Sequence, residues 1–428
     1  MRSPEELTPV QQAAITRLVE TDQTILVAVM GAGKTIMGLT AMAELRTLPD
    51  APRRFIIGCP AKLVQQWPKE AKRWSHTADL NVVPITGTEP QRLKLLQQSQ
   101  DADVLVVSLG CLNWLLRQKH DADGIIIDEL TKACGKQSSG LKLKQNKRLT
   151  WRVGMTGTPV AQSLEKLYSM ARIIDGGRTF GTRREAWESR YFTKDDYTMQ
   201  LEPREGAAVE ILTKIRPLVH YVEGSQADSL PPLQEKRVYF HIPEGTRTAY
   251  NQMRFELYAA GVEAANAAVR SGKLRQLASG FLYDENSEVL LYDTARMDAV
   301  EAILEGLDRA VVFYELDEQG AELLYRLGDK ASTNWEEFPQ YLIAQFRSMS
   351  HGVDGLQHHY NNVVFVQPLW SNDAKLQAIA RVWRTGQKQP VTVTTVMAED
   401  SLDDIVVERQ EGNAAWMDLF IQHMRRED

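Results

Sequence analysis

The chain has little of what would mark a covalently braced, secreted or membrane protein. Its three cysteines, Cys59, Cys111 and Cys134, are scattered over 428 residues. An odd, widely spaced set supplies neither a disulfide frame nor a zinc site. Long apolar runs are missing too: "ILVAVM" and "GIII" have strand length, well short of the ~18 residues that span a bilayer. The opening "MRSPEELTPVQQ" has no basic segment followed by an apolar core, so no secretory signal is expected. No short-period repeat or low-complexity tract is present. A reducing, cytoplasmic setting without a membrane partner is the expectation. Surplus positive charge is also lacking; the formal net charge is −6, which by itself argues against a nucleic-acid partner. What is missing from Leu130 to Leu164, however, is acid. That stretch carries Lys132, Lys136, Lys142, Lys144, Lys147, Arg148 and Arg152. A basic strip on an acidic protein can track phosphates, and it reads equally well as a solvated loop.

What is present is an ordinary globular composition, 43% hydrophobic and 25% charged, with length for roughly two to three domains. "TILVAVM", "RRFIIGCP", "LNVVPIT", "ADVLVVS", "DGIIIDE" and "RLTWRVGMTGTP" are short, apolar and β-branched. Helical segments such as "KTIMGLTAMAEL" separate them, which predicts a parallel sheet covered on both faces. Residues 163–224 read as helical. The prolines of "DSLPPLQEK" break the pattern, and the alternation then resumes with "RAVVFYEL", "YLIAQF", "NNVVFVQP" and "VTVTTVMA". The expected fold is α/β, two parallel-sheet lobes in tandem, residues 1–225 and 226–428.

Three junctions carry chemistry. "AVMGAGKT", Ala28 to Thr35, follows a strand and opens a helix, the context of a phosphate-binding loop. Gly31 and Gly33 would let backbone N–H groups close on phosphate, Lys34 would reach the β- and γ-phosphates, and Thr35 would hold Mg²⁺. Ala28 stands where the usual pattern has glycine. In "GIIIDELT" a buried strand ends in two acids, at the sheet edge where α/β proteins bind ligands; Asp128 would bind Mg²⁺ and Glu129 would polarise the attacking water. In "GMTGTP", Thr156 and Thr158 are placed to link the nucleotide site to the interface between lobes. Near the other end, "QAIARVWRTGQ" sets Arg381 and Arg384 three residues apart, which predicts a helix presenting both on one face with a glycine behind them. Arginine stabilises the charge that builds on a transferring phosphoryl group.

Taken in order, these segments resemble the Swi/Snf branch of superfamily-two helicases and DNA translocases. "LTPVQQAAI" looks like its leading glutamine motif, "VMGAGKTIMG" motif I and "IIGCPAKLVQQWPKEAKRW" motif Ia. "VLVVSLGCL" is similar to motif Ib, "IIIDELTK" to motif II and "GMTGTP" to motif III. "RAVVFYEL", "SHGVDGLQ" and "QAIARVWRTGQ" are similar to motifs IV, V and VI. The resemblance covers nearly the whole chain. It implies two RecA-like lobes with an ATP cleft between them, and ATP and Mg²⁺ as cofactors. Gln11, Met30, Gly31, Ala32, Gly33, Lys34, Thr35, Gly355 and Gln377 are then expected at the nucleotide. Thr35 and Asp128 are expected at the metal, and Lys34, Asp128, Glu129, Arg381 and Arg384 in catalysis. Lys62, Ser108, Lys132, Lys136, Arg275 and Trp370 are candidate DNA contacts. The expected partner is double-stranded or branched DNA, the expected state a monomeric motor, and the compact length suits a phage or bacterial protein.

Three departures stand out. Leu130 and Thr131 replace the usual ending of motif II, motif V ends Gly355-Leu356-Gln357 where Gly-Leu-Asn is usual, and "LVHYVEGSQ" lacks an arginine pair. The expected activity is a nucleic-acid-stimulated ATPase moving along DNA. Alternatives are a strand-separating or branch-migrating helicase, for which no unmistakable wedge is present and Trp335 in "GDKASTNWEEFPQ" reads better as part of a surface loop, an RNA helicase, and a non-catalytic remnant of such a motor.

Overall fold

The computed structural model describes residues 1–29, 31–134, 148–160, 163–194, 201–223, 230–256, 258–259, 262–263, 267–284, 286–346 and 355–425. The chain divides into two compact units. One is Met1–Asp228 together with Ala415–Asp428; the other is Ser229–Ala414.

The first unit is built on β1 (Gln23–Ala28), β2 (Phe55–Cys59), β3 (Val82–Pro84), β4 (Val104–Ser108), β5 (Gly124–Asp128) and β6 (Trp151–Thr156). A short antiparallel hairpin, β7 (Phe192–Lys194) and β8 (Leu201–Pro203), lies outside the sheet, and β9 (Val219–Val222) closes it. The sheet order is β3-β4-β2-β5-β6-β1-β9, and every pairing is parallel. Side chains alternate between the two faces, as strand geometry requires. Ile25, Val27, Ile125 and Ile127 enter one core; Leu26, Ala28 and Ile126 enter the other. Strands buried on both faces are continuous apolar runs, which is why "ILVA" and "GIII" are so uniform. Strand β9 lies inside the stretch expected to be helical. "VHYV" is too short and mixed to announce itself, and it becomes a strand by pairing with β1.

The second unit holds β10 (Leu233–Phe240), the small antiparallel pairs β11 (Tyr258–Ala259) with β12 (Val262–Glu263) and β13 (Phe281–Tyr283) with β14 (Val289–Leu291), then β15 (Ala310–Tyr314), β16 (Ala331–Ser332), β17 (Tyr341–Gln345), β18 (Asn362–Phe365) and β19 (Val391–Ala398). Its main sheet is parallel throughout, in the order β10-β19-β18-β15-β17-β16.

Residues 415–428, expected with the second lobe, cluster with the first unit instead. Within that unit Phe420 is fully buried in the core, Trp416 and Met417 pack against it, and Thr213 Oγ1 meets His423 Nε2 at 3.2 Å. Burying a phenylalanine contributes about 1.5–3 kcal/mol, enough to fix where this segment packs.

Candidate functional site

In the first unit the C-terminal ends of five adjacent strands fall in a row: Ser108 (β4), Cys59 (β2), Asp128 (β5), Thr156 (β6) and Ala28 (β1). β6 is paired with β5 through Met155 and Asp128 and with β1 through Thr156 and Val27. The loop after β1 and the acids after β5 therefore flank one strand end.

The loop turns into the helix Lys34–Leu45 through Gly31 (φ 82°) and Gly33 (φ 86°). Both lie in the left-handed region that side chains disfavour. A Cβ on Gly33 would also stand 2.5 Å from Gln11 Nε2. Ala28 is a fully buried strand residue here, packed in the core below the loop, so the methyl group is accommodated. Lys34 Nζ donates to Ala28 O at 2.9 Å, which folds the ammonium over the loop at the end of β1. Gln11 caps its own helix, Pro9–Glu20, reciprocally with Thr8. Its Nε2 donates to Ala32 O at 2.9 Å, tying that helix to the loop. Met30 lies outside the described residues.

Asp128 is buried, and loss of hydration pushes its carboxyl above the ordinary range. The Lys34 ammonium, the Glu129 backbone N–H and a hydrogen bond from the Trp67 indole act against that rise. Glu129 sits at φ 56° and ψ 54°, left-handed for a residue with a side chain. Such strain clusters at functional sites. The residues after the acids lock onto β6. A Cβ on Gly154 would come within 2.3 Å of Leu130 Cδ2, so Leu130 fills the space that glycine leaves. Thr131 Oγ1 lies 3.5 Å from Thr156 Oγ1, which in turn accepts from Thr158 N at 3.3 Å. A left-handed glycine loop with an inward lysine, beside a buried carboxylate and a half-buried threonine at the helix start, is a donor set that fits a nucleotide phosphate and a hard divalent cation.

Comparison with known proteins gives the family. The model of the SNF2-related domain matches residues 11–292. The chain belongs to the SNF2-related family. It is 28% identical to protein p41 of Acyrthosiphon pisum secondary endosymbiont phage 1, over 98% of each chain. It is 22% identical to the ISWI chromatin-remodeling complex ATPase ISW1 of Saccharomyces cerevisiae, over 94% of this chain and only 39% of the yeast protein. A Sulfolobus solfataricus SWI2/SNF2 ATPase core solved in complex with dsDNA is 16% identical, with a TM-score of 0.47 over 98% of this chain and 96% of that one.

Within this SNF2-related chain the two departures of motif II are both accommodated, Leu130 against Gly154 and Thr131 beside Thr156. In the second unit the helix expected across Gln377–Gln387 is Asn372–Ile379 and stops there. Arg381 and Arg384 occupy the turns that follow, before Gly386 (φ 96°). The reason is tertiary. Trp383 Nε1 donates to Pro231 O at 2.8 Å, and Gln387 Nε2 donates to Tyr360 O at 2.8 Å and Val382 O at 3.2 Å. Gln377 is buried, its amide donating to Asp373 of its own helix at 2.9 Å. Gly355 (φ 94°) precedes a short 3-10 turn.

Of the candidate DNA contacts, Lys62 and Lys132 are exposed and follow β2 and β5, and Ser108 is half-buried at the end of the neighbouring β4. Lys136 lies outside the described residues. Arg275 must be corrected. It is 5% exposed, and its guanidinium is 2.6 Å from Glu315 and donates to Pro368 O at 2.6 Å. A guanidinium held this way does not reach a phosphate. Trp370 is 37% exposed. Trp67 is the neighbour that pattern reading missed: its place in motif Ia was visible, its buried indole beside the Asp128 carboxyl was not.

Proposed function

We propose that this chain is an ATP-dependent DNA translocase, coupling ATP hydrolysis to movement along double-stranded DNA. The observation that carries this is the placement of the Lys34 loop and the Asp128–Glu129 pair on either side of one strand end, in a chain of the SNF2-related family. Gly31, Ala32, Gly33 and Lys34 bind the phosphates, and Gln11 holds the loop in shape from behind. Thr35 and Asp128 would hold Mg²⁺, which when bound neutralises charge on the phosphates. Glu129 orients and deprotonates the attacking water. Arg381 and Arg384 stabilise the charge of the transferring phosphoryl group. The link from Thr131 through Thr156 to the Thr158 backbone supports communication between the hydrolytic pair and the rest of the unit. Lys62, Ser108, Lys132 and Trp370 are the proposed DNA contacts; the lysines make binding fall with salt.

The test is steady-state ATPase activity with double-stranded DNA, single-stranded DNA, forked DNA or RNA. Strong stimulation by double-stranded DNA is expected. Stimulation confined to forks or single strands would favour a strand-separating or branch-migrating helicase, and confined to RNA would refute the DNA assignment. The structure offers that alternative little help, because Trp335 packs against the second unit's core and does not stand out as a wedge.

A further inference from the structure

An exposed tryptophan is normally a mobile one. Trp370 is exposed at the end of the segment Gln367–Trp370, which follows β18, yet the three residues before it are each fastened. Gln367 is buried; its Oε1 accepts from Ser279 Oγ at 3.1 Å and Gln319 Nε2 at 3.0 Å, and its Nε2 donates to Glu315 Oε2 at 3.1 Å. Gln319 also donates to Ser279 Oγ at 2.9 Å. Its Oε1 accepts from the backbone N–H groups of Glu315 and Leu316, both at 3.1 Å. The carbonyl of Pro368 accepts from Arg275, the same guanidinium that pairs with Glu315. The carbonyl of Leu369 accepts from Gln410 Nε2, and the Leu369 side chain is buried. Finally the Arg275 guanidinium lies 5.8 Å from the centroid of the Trp370 ring itself, within range of a cation–π contact.

Burying an arginine and two glutamines, with a half-buried glutamate between them, behind a surface segment is a costly way to stabilise a loop. It is a sound way to pre-organise a contact. A ring already held in its bound geometry loses less entropy when a partner arrives, and a large apolar side chain presented to a duplex groove can wedge against its base steps.

We infer that Arg275, with Glu315, Gln367, Gln319 and Ser279, is a positioning network that presents Trp370 to nucleic acid. This rests on the proposed function for the identity of the partner. Arg275 acts on DNA through the tryptophan and not by touching phosphate.

A double-mutant cycle on the full chain tests it, reading the concentration of double-stranded DNA that half-activates ATP turnover. Trp370→Ala should raise that concentration about 10-fold or more, the scale of a tryptophan anchor truncated to alanine. Arg275→Met should raise it several-fold in the wild-type background and not at all beside Trp370→Ala. Glu315→Gln, which keeps its volume, serves as the second variant if Arg275→Met does not fold, and should show the same dependence on Trp370. A second readout needs no DNA. In protein labelled with 5-fluorotryptophan, the ¹⁹F line of Trp370, assigned by its loss in Trp370→Phe, should shift and sharpen when the network is cut. Equal effects of Arg275→Met with and without Trp370, or an unmoved ¹⁹F line, would overturn the positioning role alone. A wild-type chain indifferent to every DNA would overturn the proposed function and the contact with it.

Discussion

Arg296 is fully buried in the second unit and paired with Asp403, and its replacement by methionine gives a large, checkable effect. The side chain is 0% exposed and its partner Asp403 1%. Its Nε donates to Ala278 O at 3.0 Å, Nη1 to Val366 O at 2.8 Å and Val396 O at 3.1 Å, and Nη2 to Asp403 Oδ2 at 2.6 Å. One guanidinium thus joins the end of the helix Ala267–Ala278, the segment after β18, the strand β19 and the start of the last helix. Asp403 has a second anchor, accepting from Ala398 N at 3.0 Å. Arg296→Met keeps most of the volume but leaves a buried carboxylate without its counter-charge, a loss of about 3–5 kcal/mol. For a unit of this size that lowers the midpoint of its thermal transition by roughly 6–20 °C. Adding Asp403→Asn removes the stranded charge while keeping an acceptor for Ala398 N, so the double variant should be more stable than Arg296→Met alone by about 1–3 kcal/mol. Urea or thermal unfolding of the full chain, followed as two transitions, reads this directly. A loss below about 1 kcal/mol for Arg296→Met, or a double variant less stable than the single, would show that this pair does not hold the second unit together.

Four further outcomes are expected. Glu129→Gln should bind ATP but hydrolyse it about 10²–10⁴-fold more slowly, and Glu129→Gly should lose turnover equally while unfolding at no lower temperature, because glycine relieves the left-handed backbone; near-normal turnover in either would remove Glu129 from the chemistry. Lys34→Ala should abolish turnover and weaken ATP binding, measured by displacement of a fluorescent nucleotide; unchanged binding would place the ammonium elsewhere. Arg384→Ala should retain ATP binding and lose DNA-stimulated hydrolysis by about 10³-fold or more; surviving stimulation would make the residue structural. The raised carboxyl of Asp128 means the folded state holds this proton more tightly than the unfolded one. Its contribution to stability is therefore greatest at acid pH and is lost as pH rises through the folded value. Asp128→Asn should accordingly melt higher than wild type at pH 7 in Mg²⁺-free buffer, with the gap closing as pH falls through the raised folded value down to the ordinary carboxylate range; a gap constant with pH would contradict the assigned burial effect.

The sequence by itself determined the strands of both main sheets that are uniformly apolar, the glycine-rich turn after β1, the acids ending β5 and the threonines ending β6. All of these are local. A buried parallel strand is a short apolar run, a left-handed turn demands glycine, and the chemistry at a strand end follows within a few residues. Four things were decided only by the tertiary structure. "VHYV" became a strand because β1 offered it an edge. The arginines of "RVWRTGQ" left the helix because Trp383 and Gln387 are held by Pro231 and Tyr360. Residues 415–428 joined the first unit because Phe420 found its core there. Arg275, read as a DNA contact, and Arg296, whose stretch carries no motif, are buried by partners about a hundred residues away, Pro368 and Asp403. Spacing along a chain reports which face a side chain takes. Whether a charge on that face is solvated or buried depends on where its counter-charge comes to rest, and the fold alone sets that distance.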